Sequence, residues 1–198
     1  MKLPLNSNYH ISDEQISEER AWVEAAKSDP ERFDKLYDRY FEGIFNFIYR
    51  RTDDEVVAAD ITSQTFLAAL QNLKKYSFRG LPFSAWLYKI AANQVNKYYR
   101  ASKKNMVFSL EESLIGRLIS ETEEDTNEEK ISLLVDYLKQ LSTEDVMVLE
   151  LRFFEGKGFR EIAYILEITE SGAKMRTYRA LERLKKIFDA KLKRYEKA

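Results

Sequence analysis

The chain has 198 residues, 44% of them hydrophobic, which suffices for one domain or two small ones and is too apolar for full disorder. It holds no Cys and a single His, His10, so a disulfide framework, thiolate zinc sites and cysteine nucleophiles are excluded, and little remains for His-based metal or acid–base chemistry. Net charge is −1 and the pI about 6.1, a balance that taken alone argues against a nucleic-acid partner. Three Pro, six Gly and a wealth of Lys, Arg, Glu and Leu favour long helices over strands. No apolar run approaches the roughly 20 residues needed to span a bilayer, and Met1 to Arg20 lacks a hydrophobic signal core. A soluble, cytoplasmic protein is expected, with no direct membrane insertion.

The charge is unevenly spread. From Ile61 through Leu110 there is no Asp or Glu, yet Lys74, Lys75, Arg79, Lys89, Lys97, Arg100, Lys103 and Lys104 fall there. An acidic run, Glu121 to Glu129, follows, and from Lys174 onward the chain is strongly basic again. Segregated positive charge, rather than the net value, makes an electrostatic footprint for a polyanion.

In chain order, Met1 to Ser17 reads as a polar arm and Ser17 to Ala26 as a short helix with Trp22 and Val23 inward. Asp29-Pro30-Glu31 is a helix start, with Asp as cap and Pro in the first turn. Phe33, Leu36, Tyr37, Tyr40, Ile44, Phe47 and Ile48 then recur at helical spacing, an aromatic stripe that reads as core. Thr52 to Glu55 caps a helix from Val56 to Tyr76, with Val57, Ile61, Phe66, Leu67, Leu70 and Leu73 on its apolar side and Asp60, Ser63, Gln64 and Asn72 opposite. Ser77 to Pro82 breaks the pattern. The helix from Phe83 to Ser102 sets Phe83, Trp86, Leu87, Ile90 and Ala91 against a face of Lys89, Asn93, Asn96, Lys97 and Arg100, with Tyr98 and Tyr99 alongside. Basic and amide groups interleaved with aromatics suit a strand whose bases are splayed and stacked; a plain amphipathic helix with a solvated face is the alternative.

Asn105 to Asn127 has no sustained period and reads as an acidic linker. Glu128 to Gln140 is helical in pattern, and Leu141-Ser142-Thr143-Glu144-Asp145 caps a further helix to Phe154 that buries Val146, Leu149 and Phe153. From Phe159 to Leu184, Ile162, Ala163, Ile165 and Leu166 form one stripe and Ala173, Leu181 and Leu184 a second, separated at Glu167 to Glu170. Two helices joined by a tight turn, with Thr169 or Ser171 as N-cap and Lys174, Arg176, Arg179 and Arg183 on the second, match a helix-turn-helix. A surface helix with merely solvated cations is the bland alternative. Such turns commonly carry Gly where this chain has Glu167, since that residue often takes the left-handed region, at a cost of roughly 1 kcal/mol for other residues. No paired catalytic carboxylates or Gly-rich phosphate loop occur, so neither catalytic residues nor a metal, cofactor or small-molecule substrate are expected.

Two blocks resemble a known family. FDKLYDRYFEGIFNFIYRR, DEVVAADITSQTFLAAL and FSAWLYKIAANQVNKYYR, within Phe33 to Lys104, resemble region 2 of bacterial RNA polymerase sigma factors of the extracytoplasmic-function (ECF) type. LSTEDVMVLELRFFEGKGFREIAYIL and the residues after it, Leu141 to Phe188, resemble their region 4. The resemblance implies an all-α fold of two small helical domains: a region 2 bundle and a region 4 helix-turn-helix of the winged-helix-like DNA-binding class. Its divisions are an arm at 1–17, a region 2-like domain at 18–104, an acidic linker at 105–127 and a region 4-like domain at 128–198.

The family likeness also implies roles. Asp60, Ser63, Gln64 and Phe66 would contact core RNA polymerase, although many members have Gln-Glu in place of Ser63-Gln64. Arg79, Lys89, Asn93, Asn96, Lys97 and Arg100 would hold the downstream (minus-10) promoter element as it melts. Ser171, Lys174, Arg176, Arg179 and Arg183 would meet the upstream (minus-35) element as duplex. Members commonly have Val-Gly-Thr-Val where this chain has Glu170-Ser171-Gly172-Ala173. The implied partners are core polymerase, promoter DNA and an anti-sigma factor, and the implied activity is promoter-specific initiation without catalysis. A helix-turn-helix repressor or activator that does not act as a sigma subunit is the alternative.

Overall fold

The computed structural model describes residues 12–102 and 141–195, and every regular element among them is helical. α1 spans Asp13–Ser28, α2 Asp34–Thr52, α3 Glu55–Asn72 and α4 Phe83–Ser102; α5 spans Thr143–Leu149, α6 Phe159–Leu166 and α7 Glu170–Tyr195. The all-α expectation holds. The acidic linker and the helix expected over Glu128 to Gln140 lie outside the described residues. α1 to α4 belong to one compact unit, and α5, α7 and most of α6 to a second.

In the first unit, α1 starts earlier than the Ser17 expected from its apolar residues. Ser12 Oγ accepts from the Gln15 N–H at 3.2 Å and Gln15 Oε1 accepts from the Ser12 N–H at 3.0 Å, a complete capping box that satisfies two orphan donors. The segment Asp13 to Ser17, read as part of the arm, is therefore helical. Asp29 caps the turn Pro30–Phe33 that leads into α2, as its sequence indicates.

α2, α3 and α4 pack on one another. Leu36, Ile44, Phe47 and Ile48 of α2 have no exposed surface, nor do Leu87, Ala91 and Val95 of α4. Burying each large side chain contributes about 1.5–3 kcal/mol. Arg51 is also fully buried: its guanidinium lies 3.5 Å from the Phe47 ring centroid and donates to the Phe47 carbonyl at 2.8 Å. The Tyr99 hydroxyl donates to the Arg51 carbonyl at 2.5 Å and so fastens the end of α4 to the end of α2.

α3 buries a different stripe from the one its large aliphatics suggest. The inward residues are Ala58, Ile61, Thr62, Thr65, Phe66 and Ala69, and Leu67 is 55% exposed. Thr62 and Thr65 enter the core because their hydroxyls donate to the carbonyls of Ala58 and Ile61, at 2.7 and 2.8 Å, so neither hydroxyl is left unpaired. The α-helix ends at Asn72 and a single 3-10 turn, Leu73–Lys75, replaces the last turn expected.

In the second unit, Ser142 caps α5 by accepting from the Asp145 N–H at 3.2 Å. The helix expected to Phe154 is α-helical to Leu149 and then π-helical over Glu150–Phe154, with the Glu155 N–H reaching the Glu150 carbonyl. Val146, Leu149 and Phe153 are buried as expected. α5 packs on α7, whose inward residues are Ala173, Thr177, Ala180, Leu181 and Leu184.

Between α6 and α7 the turn keeps the left-handed geometry that glycine usually supplies. Glu167 has φ 57°, and the Ile168 N–H returns to the Ala163 carbonyl at 3.0 Å, the closing bond of a Schellman end. Replacing Glu167 by Gly should therefore stabilise the chain against denaturant by roughly 0.5–1 kcal/mol. Because Glu167 Oε1 also accepts from Lys89 Nζ at 2.7 Å, the comparison is made in a Lys89→Ala background, where an unchanged or lower midpoint would contradict a strained turn.

Candidate nucleic-acid interface

α4 places Asn93, Asn96, Lys97 and Arg100 on one exposed face, since residues three and four apart share a side of a helix. Asn93, Lys97 and Arg100 line a groove of about 580 Å³. Asn96 is exposed beside it; Lys89 and Arg79 do not line it. The groove brings in residues that the sequence reading left out or treated as core: Asn72 and Lys75 from the end of α3 and its 3-10 turn, then Tyr76, Trp86 and Gln94. The Tyr76 and Trp86 rings are 4.9 Å apart and both are half-buried. Cations and amides therefore rim two aromatic surfaces. Such a surface offers donors to phosphates and base edges and flat faces on which an unpaired base can stack. The Phe78 ring, in the loop between the 3-10 turn and α4, is exposed as well. The signal for these residues was present in the aromatic and amide content of 72–94, but which of them turn outward depends on how α3 ends.

The four residues assigned to polymerase contact divide. Asp60, Ser63 and Gln64 are exposed on α3, and Gln64 Nε2 donates to Asp60 Oδ2 at 2.8 Å. Phe66 is not available for such a contact. It is 4% exposed, with ring centroids of Tyr37, Phe41 and Phe33 at 4.8, 6.3 and 6.4 Å. The apolar residues that do share the outward face of Asp60 are Val56, 80% exposed, and Leu67.

In the second unit, α7 opens at Glu170 with Thr169 as its cap: Thr169 Oγ1 accepts from the Gly172 N–H at 3.0 Å, while Ser171 lies within 3.2 Å of the same hydroxyl. A Cβ at position 172 would come 2.9 Å from that Oγ1, so Gly is what the cap accommodates. Lys174 and Arg179 are exposed and Arg176 half-buried. Arg176, Arg179 and Arg183 line a smaller groove, of about 360 Å³, with Met175 and Ser142. Arg183 differs from its neighbours. Its guanidinium is hydrogen-bonded to the nearly buried carboxylate of Asp145, and it thus ties α7 to the first turn of α5. Its first task in this unit is to hold the helix; Arg176, Arg179 and Lys174 present their charge outward, as a helix seated in a major groove requires.

Known proteins resolve what these two faces belong to. Residues 36–105 match the family model for sigma-70 region 2, and residues 131–184 that for sigma-70 region 4. The RNA polymerase sigma factor YlaC of Bacillus subtilis is 32% identical over 76% of this chain and 88% of its own. The chain belongs to the ECF sigma factors of the sigma-70 family. The ECF sigma factor BldN of Streptomyces coelicolor is 30% identical over 83% of this chain, which spans 64% of that relative's length. In fold, the sigma factor resembles CnrH as solved in complex with the cytosolic domain of CnrY, at a TM-score of 0.61 and 21% identity, over 87% of this chain and 97% of that one.

In this sigma factor the groove and α4 fall in the region 2 match, and the helix-turn-helix in the region 4 match. Burial pushes the Tyr76 phenol on the groove floor up to about 12, and Tyr164 and the carboxylates of Glu19 and Glu24 add to the effect. Because the folded value exceeds the ordinary 10.0, the contribution to stability is full below pH 10 and is lost as pH rises through about 12. Tyr76→Phe should flatten that alkaline loss in denaturant titrations, and equal slopes for both proteins would refute it.

Proposed function

We propose that this sigma factor associates with core RNA polymerase and directs it to promoters by using its two units on two states of DNA. The α4 face with Asn93, Asn96, Lys97 and Arg100, together with Arg79 and Lys89, holds the downstream element as separated strand. Ser171, Lys174, Arg176 and Arg179 meet the upstream element as duplex, with Arg183 keeping α7 in place. Asp60, Ser63 and Gln64, joined by Val56 and Leu67 in place of Phe66, contact the polymerase. The observation that carries this reading is the pairing of an aromatic-floored, cation-rimmed groove in the region 2 match with a capped, arginine-bearing helix in the region 4 match.

The division follows from physics. Duplex readout needs a rigid helix that fits a groove. Strand separation costs a few kcal/mol, and stacking of each captured base on an aromatic ring returns roughly 1–3 kcal/mol. The linker at 105–127 joins domains at 18–104 and 128–198, the first of them extended forward to include all of α1. Tethering makes the second contact effectively intramolecular, so neither domain has to bind tightly alone. The chemistry of RNA synthesis stays with the polymerase. The site of action is the cytoplasm, consistent with the lack, among the described residues, of a helix long and apolar enough to cross a membrane. An anti-sigma protein that covers both domains is the regulator this reading implies.

Reconstitution tests it. The purified chain added to core polymerase should yield transcripts from a set of promoter fragments on which core alone is silent. Arg176→Ala and Arg179→Ala should each weaken use of promoters that depend on the upstream element by about tenfold and lower the salt slope of binding by about one. Lys97→Ala and Arg100→Ala should instead reduce strand opening. Equal effects of all four changes on both steps would contradict the division, and specific binding of the chain to promoter DNA without polymerase would favour a repressor or activator.

A further inference from the structure

Pro82, the residue before α4, has no side-chain acceptor with which to cap it. Leu81 and Pro82 precede it, no acidic residue stands in its first turn, and no Asp or Glu occurs anywhere from Ile61 through Leu110. The freedom from carboxylates that suits a phosphate-bearing partner thus deprives the helix of a local anion for its unsatisfied N–H groups. The missing acceptor comes from α1. Glu19, 2% exposed, accepts the Phe83 N–H through Oε2 at 3.0 Å and the Tyr40 hydroxyl through Oε1, with Arg39 Nε 3.7 Å away.

α1 touches the same connection at two further points. The Arg20 guanidinium stands 5.4 Å from the Phe78 ring centroid, and Lys27 Nζ stands 5.8 Å from that of Tyr76. Tyr76, Phe78 and Phe83 are the beginning, middle and end of the segment that joins α3 to α4, and Gly80 gives it a left-handed bend at φ 69°. Residues 19 to 27 span about 12 Å of helix, so one rigid rod supports the whole connection. α1 lies ahead of the residues matched by the region 2 model.

We infer that Glu19 is a positioning residue for strand capture: from α1 it fixes the start of α4 and the loop before it, so that the groove floor and the cationic face meet the opened strand in one geometry. The carboxylate does this while buried against Tyr40 and the Phe83 N–H, and not from the exposed face of α4. The inference rests on the sigma-factor reading, and it extends that reading to a helix that touches no DNA.

The test uses full-length protein in holoenzyme, with permanganate reactivity of unpaired thymines reporting opening, and with core affinity and upstream-duplex binding measured in parallel. Glu19→Ala should reduce opening about tenfold, the effect of removing a charged hydrogen-bond acceptor, while core affinity and duplex binding change less than about twofold. Glu19→Gln, whose amide oxygen still accepts from Phe83, should restore opening to within about threefold of wild type. Arg20→Ala, at an exposed position that folding tolerates, should lower opening measurably and so carries the test should Glu19→Ala fail to fold. Wild-type opening in Glu19→Ala or Arg20→Ala, an equal loss of core affinity and opening, or a Gln variant as defective as Ala would each overturn the assignment. A wild-type holoenzyme that opens no promoter would instead remove the sigma reading itself.

Discussion

A chain with a net charge of −1 can hold a polyanion only if its carboxylates are kept off the surfaces that the polyanion meets. Much of the architecture follows from that constraint. The segment that contains α4 has no acids, so the acid that α4 needs at its start is supplied from α1 and buried. In the second unit, Asp145 lies beneath the recognition helix, yet its charge is spent on Arg183 and nearly all of it is out of solvent. In both units a carboxylate makes an internal contact next to a cationic face while itself nearly out of solvent.

The same economy explains where local strain is tolerated. Glu167 holds a left-handed conformation in the turn that sets α6 against α7, because the geometry of the turn is worth more than the roughly 1 kcal/mol of backbone cost. Arg51 is enclosed entirely, with its guanidinium against Phe47 and a bond to the Phe47 carbonyl, in the unit whose outer face must stay cationic. Buried polar groups of this kind fix one arrangement of helices, and that arrangement decides which residues of α3 and α4 face outward.

Helix existence, the caps at Asp29, Ser142 and Thr169, and the basic face of α4 were legible in the sequence because each depends on residues within a few positions of one another. The errors share a cause. Phe66 was assigned to a polymerase contact and Leu67 to the core, but Phe66 is buried and Leu67 exposed, since Ala58, Thr62, Thr65 and Ala69 form the buried stripe. Small and hydroxylated residues can line a tight helix interface when each hydroxyl finds a carbonyl one turn back, and a pattern keyed to large aliphatics does not register them. Glu19 was invisible for a different reason: its partner is Phe83, far along the chain, and nothing in either local sequence announces the pair. Arg183 looked like its neighbours on α7 until Asp145 was placed beside it. Long-range pairing of charged side chains was the information that periodicity could not hold.

The central claim is that the two faces engage DNA in different states. Placing a photo-crosslinking residue at position 97 in one protein and at position 176 in another, in holoenzyme bound to a promoter, tests this directly. The account predicts that 97 marks unpaired bases of the downstream element and 176 marks duplex of the upstream element. Crosslinks from both positions to the same stretch, or from 97 to fully paired DNA in the open complex, would contradict it.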